Sequence, residues 1–97
     1  MIDLDLFGKT PKEITIAVAS NEKRMRKRRG YTQQELARRS GVSYASLRRF
    51  EQTGEISFLS LARIATILGC EADFMRLFAV PEYSSMEELL NDQSRKS

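Results

Sequence analysis

The sequence contains no histidine and a single cysteine, Cys70, among its 97 residues. A lone thiol cannot close an internal disulfide, and without histidine the usual ligands of a zinc site are missing. No apolar run reaches the roughly 18 residues that a membrane-spanning helix requires. Residues 1–7 carry Asp3 and Asp5 rather than a basic lead-in to an apolar stretch. These absences lead us to expect a soluble, unexported, cytoplasmic chain with no metal, no cofactor and no membrane association. They also argue against an enzyme. Cys70 has no evident base, Ser43 is better placed as a helix cap than as a nucleophile, and no glycine-rich loop is available to cradle a phosphate. Cys70 reads more simply as a small apolar residue near the start of a helix.

What is present is enough apolar residue, 41%, for one compact domain and too little chain for two independent cores. The net charge of +3 is unevenly spread. Between positions 22 and 49 stand Lys23, Arg24, Arg26, Lys27, Arg28, Arg29, Arg38, Arg39, Arg48 and Arg49 against only Glu22 and Glu35, a local balance of +8 that leaves −5 for the rest. A block of this size attracts a phosphate backbone through counterion release, although a solvated charged face would have the same composition.

Ile2, Leu4 and Leu6 alternate with Asp3 and Asp5, a period-2 pattern that suggests a short strand in an N-terminal arm, residues 1–9. A domain spanning 10–80 follows. Thr10-Pro11-Lys12-Glu13 has the form of a capping box with proline at the first helical position, so a helix is expected to run from there to Arg29, with Ile14, Val18 and Met25 near one face, before Gly30 stops it. Thr32 caps a short second helix with Leu36 and Ala37 apolar, ending at Gly41. Ser43 caps a third, in which Leu47 and Phe50 point one way and Tyr44, Ala45, Ser46, Arg48 and Arg49 are left outside. A fourth, capped near Ser57, repeats Leu61, Ile64, Ala65 and Leu68 until Gly69. A fifth is expected over 71–78, with Phe74, Leu77 and Phe78 apolar, stopped before Pro81. The fold class is therefore all-α. In the tail, 81–97, residues 84–90 keep one amphipathic turn that can dock on a partner or on the domain itself.

Two short helices joined through Gly41-Val42-Ser43, within 32–54, match the geometry in which a first helix crosses the DNA backbone and a second enters the major groove. Glycine permits the positive φ of the turn, Val42 is placed to plug the gap, and Ser43 satisfies orphan amides. At this point the sequence resembles the Xre/Cro-type helix-turn-helix repressor family, with its lambda-repressor-like five-helix domain. The likeness lies in Arg26-x-x-x-Gly30-x-Thr32-Gln33-x-Glu35-Leu36-Ala37-x-x-x-Gly41-Val42-Ser43, then Leu47 and Phe50-Glu51. The resemblance implies that Gln33 holds a phosphate from the start of the second helix, which Thr32 caps. It implies that Arg26 pairs with Glu51 as a structural salt bridge. It places Tyr44, Ala45, Arg48 and Arg49 against bases, with Ser43 and Ser46 near phosphates. Of these, Arg48 or Arg49 suits guanine best, because guanidinium can bond O6 and N7 together, and Ala45 can meet a thymine methyl. Tyr44 can contact DNA or simply cover the turn. Arg38 and Arg39 serve solubility or the DNA backbone equally well.

The chain departs from the family pattern at Glu22, where an aliphatic residue is common, and in a shorter loop over 52–57. The stretch Leu-Arg-Arg-Phe-Glu-x-Thr-Gly-x-Ile-Ser at 47–57, with Thr10-Pro11-x-Glu13 ahead and Met86 to Leu90 behind, is similar to the HipB-like branch. That likeness implies an antitoxin that represses its own operon and binds a HipA-like kinase toxin. A homodimer on a palindromic operator follows from geometry, since one recognition helix reads only a few base pairs. The competing reading is a protein-interaction module that uses the fold without DNA, against which stands the large number of cations.

Overall fold

The computed structural model describes residues 9–80, which form five helices. They are α1 (Pro11–Arg28), α2 (Gln33–Ser40), α3 (Tyr44–Thr53), α4 (Phe58–Leu68) and α5 (Glu71–Met75). The architecture is all-α, with no strand among the described residues. The strand expected around Ile2, Leu4 and Leu6 and the amphipathic turn expected at 84–90 lie outside those residues.

Local chemistry sets the helix ends. At α1 the box closes both ways: the Glu13 amide donates to Thr10 Oγ1 and the Thr10 amide donates to Glu13 Oε1, each at 3.2 Å, and Pro11 opens the helix where no amide is needed. The hydroxyls of Thr32, Ser43 and Ser57 each accept from the amide three residues on, at 3.0, 3.0 and 3.1 Å. Such a cap is worth about 1 kcal/mol. α2 and α3 stop at Gly41 and Gly54, with φ of 73° and 81°, in the left-handed region that strains any residue carrying a Cβ. Two cations finish the job at a distance. Lys12 Nζ donates to the Thr53 carbonyl at 2.8 Å and Arg29 Nη2 to the Leu68 carbonyl at 2.9 Å, at the C-terminal ends where the helix dipole favours positive charge.

The core is small and shared. Phe50, Leu36, Leu47, Ile64 and Leu68 are fully buried, joined by Ala19, Ala37 and Val42, and each of the large side chains contributes roughly 1.5–3 kcal/mol on leaving water. α1 packs on α3, α2 on both α3 and α4, and α5 against α4. The face of α1 that turns inward consists of Ala19, Glu22 and Arg26. Ile14 and Val18, which the apolar spacing put on the packing face, are exposed, and Met25 is half-buried. Ile14 and Val18 instead border an open groove with Phe50, Ile56, Phe58 and Leu61, because the approach of α1 to α3 is governed by small and charged side chains.

α5 is shorter than expected. It ends at Met75, and the chain tightens into i to i+3 turns through the Arg76, Leu77 and Ala79 amides. Phe78, with φ of 61°, breaks the helical path. No side-chain cap opens this helix, and Leu77 and Phe78 are exposed. Among the described residues Phe74 alone is anchored, stacked on Phe58 with ring centroids 5.2 Å apart. Partial cover of one ring holds one turn, not the two that the apolar count suggested. Cys70 precedes it half-buried, its thiol donating to the Ala65 carbonyl at 3.6 Å.

The two interior turns make different demands on their glycines. A Cβ at Gly54 would stand 2.8 Å from Thr15 Oγ1 and 3.0 Å from the Thr15 carbonyl carbon, whereas one at Gly41 would meet nothing within 4 Å. Gly41→Ala therefore incurs only the left-handed strain, about 1 kcal/mol, while Gly54→Ala also forces α1 away from α3. Urea unfolding should place Gly54→Ala well below Gly41→Ala in stability; equal losses would contradict the close approach.

Candidate nucleic-acid interface

α3 divides its residues sharply. Leu47 and Phe50 are fully buried and the Glu51 side chain is 1% exposed. Tyr44, Ala45, Ser46, Arg48, Arg49 and Gln52 stand on the outer side, all exposed. This follows from helical spacing: the two apolar residues three apart dock one stripe on α1, α2 and α4, leaving a stripe at 44, 45, 48, 49 and 52 facing out. Val42, 5% exposed within the core cluster, fixes how α2 and α3 meet.

The outer side chains are held by weak, reversible contacts. Ser43 and Ser46 share a hydroxyl hydrogen bond of 2.8 Å. Arg49 Nη2 lies 3.0 Å from Glu55 Oε1 in a pair whose side chains are 67% and 57% exposed. Tyr44 is half-exposed at the helix start. Arg48 is exposed and makes no side-chain hydrogen bond or ion pair among the described residues. On α2, Arg38 and Arg39 both pair with Glu35, at 2.8 and 2.9 Å, and hold that carboxyl below the usual carboxylate range. The Arg39 guanidinium also lies over the Tyr31 ring, 4.9 Å from its centroid. Glu35 does not reach back to close a second capping box. Its side chain is spent on these arginines.

Behind the surface is a tight polar cluster. Arg26 donates from Nε to Glu51 Oε2 at 2.8 Å and from Nη2 to Glu51 Oε1 at 2.9 Å, and from Nη1 to the Tyr31 carbonyl at 2.8 Å. Gln33 donates from Nε2 to Glu51 Oε1 at 2.9 Å. The structure thus brings Arg26, Gln33 and Glu51 together from three helices. Gln33 stands at the N-terminus of α2 with one amide hydrogen committed inward and a second available. Burial alone would raise the Glu51 carboxyl, but the hydrogen bonds from Arg26 and Gln33 hold it below its ordinary value. The Arg26 guanidinium is pushed up, chiefly by its hydrogen bond to Glu51.

Sequence reasoning passed over Glu55 and noted Glu22 only as a departure from the family pattern. Glu55 is not suggested by any spacing rule, because its pairing with Arg49 crosses the turn after α3. Glu22 is 6% exposed, and no donor reaches either carboxylate oxygen. Burial first, then the neighbouring Glu51 carboxylate, pushes its pKa up to about 8 against the opposing charges of Arg26 and Lys23. Two carboxylates could not bond each other; a protonated Glu22 can donate to Glu51. The stretch Ala19-x-x-Glu22-x-x-x-Arg26, one helical stripe, was the available signal.

The two carboxyls bend the pH dependence of folding in opposite senses. Glu51, with a lowered folded-state pKa, contributes stability that is present above the ordinary value of 4.5 and lost as pH falls. Glu22, raised to about 8, contributes stability that is full below 4.5 and lost as pH climbs through that higher value. Removing the shared acceptor should be severe. Glu51→Ala leaves a buried guanidinium uncompensated and should lower unfolding stability by about 3–5 kcal/mol at neutral pH. An unchanged denaturation midpoint would contradict the role assigned to the pair.

The profile of the helix-turn-helix family matches residues 23–75, more than half of the chain. No curated protein and no solved structure matches it. The matched segment contains α2, α3, α4 and α5 whole, the turn between α2 and α3, and the Arg26–Glu51 pair. This chain belongs to the Xre/Cro-type helix-turn-helix family of DNA-binding transcription regulators.

Proposed function

We propose that the chain is a sequence-specific transcriptional repressor that binds a palindromic operator in double-stranded DNA as a homodimer. The observation that carries this reading is the outer stripe of α3, aromatic and basic, beside the start of α2. In this reading Tyr44, Ala45, Arg48 and Arg49 face the bases, and Thr32, Gln33, Ser43 and Ser46 lie along the phosphates. The second amide hydrogen of Gln33 and the orphan amides at the start of α2 suit an anionic oxygen. Ala45 suits a thymine methyl, and a guanidinium suits guanine. Arg49 leaves Glu55 to do this. An exposed ion pair is worth at most about 1 kcal/mol, whereas a bidentate guanine contact discriminates by about 1–3 kcal/mol, so the exchange favours DNA. Two recognition helices about one DNA turn apart supply the affinity that one lacks.

The narrower assignment is an antitoxin that represses its own operon and is bound by a HipA-like kinase. It rests on the likeness of 47–57 and of the box at Thr10 to that branch. It predicts that a kinase encoded beside the chain co-elutes with it, and separate elution would remove that assignment alone.

The test of the repressor reading is titration of a labelled duplex from the chain's own upstream region against a scrambled duplex at two salt concentrations. Preference for the upstream duplex, with log affinity falling linearly in log salt, is expected. Arg49→Ala should relax preference at one base position. Weak binding that ignores sequence would transfer the function to protein interaction through the same fold.

A further inference from the structure

The Glu51 carboxylate has four lone pairs to offer. Arg26 Nη2 and Gln33 Nε2 take both on Oε1, and Arg26 Nε takes one on Oε2. One remains on Oε2. Glu22, on the inward stripe of α1, is buried with two oxygens that no donor reaches. Glu22 stands one turn before Arg26 on the same buried stripe, and Arg26 grips Glu51 of α3; the charges acting on Glu22 are those of Glu51, Arg26 and Lys23, and on α2 the uncharged Gln33 shares the cluster. Ionised, Glu22 would set a second negative charge beside Glu51 with Arg26 already committed to the first. Protonated, it supplies the one missing donor.

We propose that Glu22 is a positioning residue for the interface: as a neutral acid it donates its proton to Glu51 and so fixes the carboxylate that holds Gln33 at the start of α2. The consequence for DNA rests on the repressor reading above. The consequence for Gln33 does not. Burial and the neighbouring carboxylate hold the Glu22 proton on up to about pH 8, so raising the pH through that range releases it, and repulsion between Glu22 and Glu51 then loosens the hold on the Gln33 amide.

The experiment follows the wild-type chain by NMR between about pH 5 and 9.5, reading the Glu22 side-chain carboxyl carbon and the Gln33 side-chain amide together. The expected result is one shared midpoint well above the ordinary carboxyl range, with the Gln33 signals flat in Glu22→Gln, whose amide can donate to Glu51 without titrating. Glu22 titrating like a solvent-exposed glutamate would overturn the proposal, as would a Gln33 amide indifferent to Glu22. A second arm measures duplex affinity at about pH 6.5 and 9. Wild type should lose about five-fold, the worth of one hydrogen bond, and Glu22→Gln should lose nothing. An equal loss in both would overturn the link from Glu22 to the interface. If neither protein binds duplex at any pH, the repressor reading fails and the NMR arm still decides the role of Glu22.

Discussion

Glu51 lies on the inward side of α3 with its side chain 1% exposed, and an ionised group placed there persists only because the two neighbouring helices bring it donors. Arg26 grips both oxygens from α1, Gln33 bonds one from α2, and Glu22 completes the set as an acid. Each donor constrains the helix that carries it. The orientation of α1 on α3, the entry of α2 through the Tyr31 carbonyl that Arg26 also holds, and the position of Gln33 are thus settled by one carboxylate. The apolar core of Leu36, Leu47, Phe50, Ile64 and Leu68 supplies stability. The polar cluster supplies the angle at which the outer stripe of α3 is presented.

The outer face is built on the opposite principle. Its contacts, Arg49 with Glu55 and Ser43 with Ser46, are exposed and cheap to exchange. A polyanion meets side chains that are exposed and only loosely committed, while the backbone beneath them is fixed by the caps of Ser43 and Gly54. The formal excess of positive charge over residues 22–49 therefore overstates the field at the surface. Arg26 is neutralised by Glu51 behind α3, and Arg38 and Arg39 share Glu35. Arg48 stands out as the exposed cation of α3 outside any such pair among the described residues.

Much of the fold is legible in the sequence because it is local. Thr10, Thr32, Ser43 and Ser57 announce helix starts through their own hydroxyls, and Gly41, Gly54 and Gly69 announce ends. The stripe on α3 follows from Leu47 and Phe50 alone. What sequence reading misplaced depends on packing between distant segments. Ile14 and Val18 look like a packing face yet line an open groove, since Glu22 and Arg26 claim the inward side of α1. Leu77 and Phe78 look helical yet lie beyond the last turn, since no described residue past Phe74 is buried. A glutamate buried as an acid is marked in the sequence only by sharing a stripe with Ala19 and Arg26 and by standing where the family commonly has an aliphatic residue.

The central claim is that the outer stripe of α3 and the start of α2 form one surface for DNA, held in place from behind by Glu51. Mapping backbone amide shifts of the labelled chain on addition of a short duplex tests it most directly. The account predicts large shifts at Thr32 and Gln33 and across Ser43 to Arg49, with the Arg26 and Glu51 signals nearly still. Shifts concentrated instead on the exposed apolar residues Phe58, Leu59 and Leu77, with the α3 stripe silent, would contradict it.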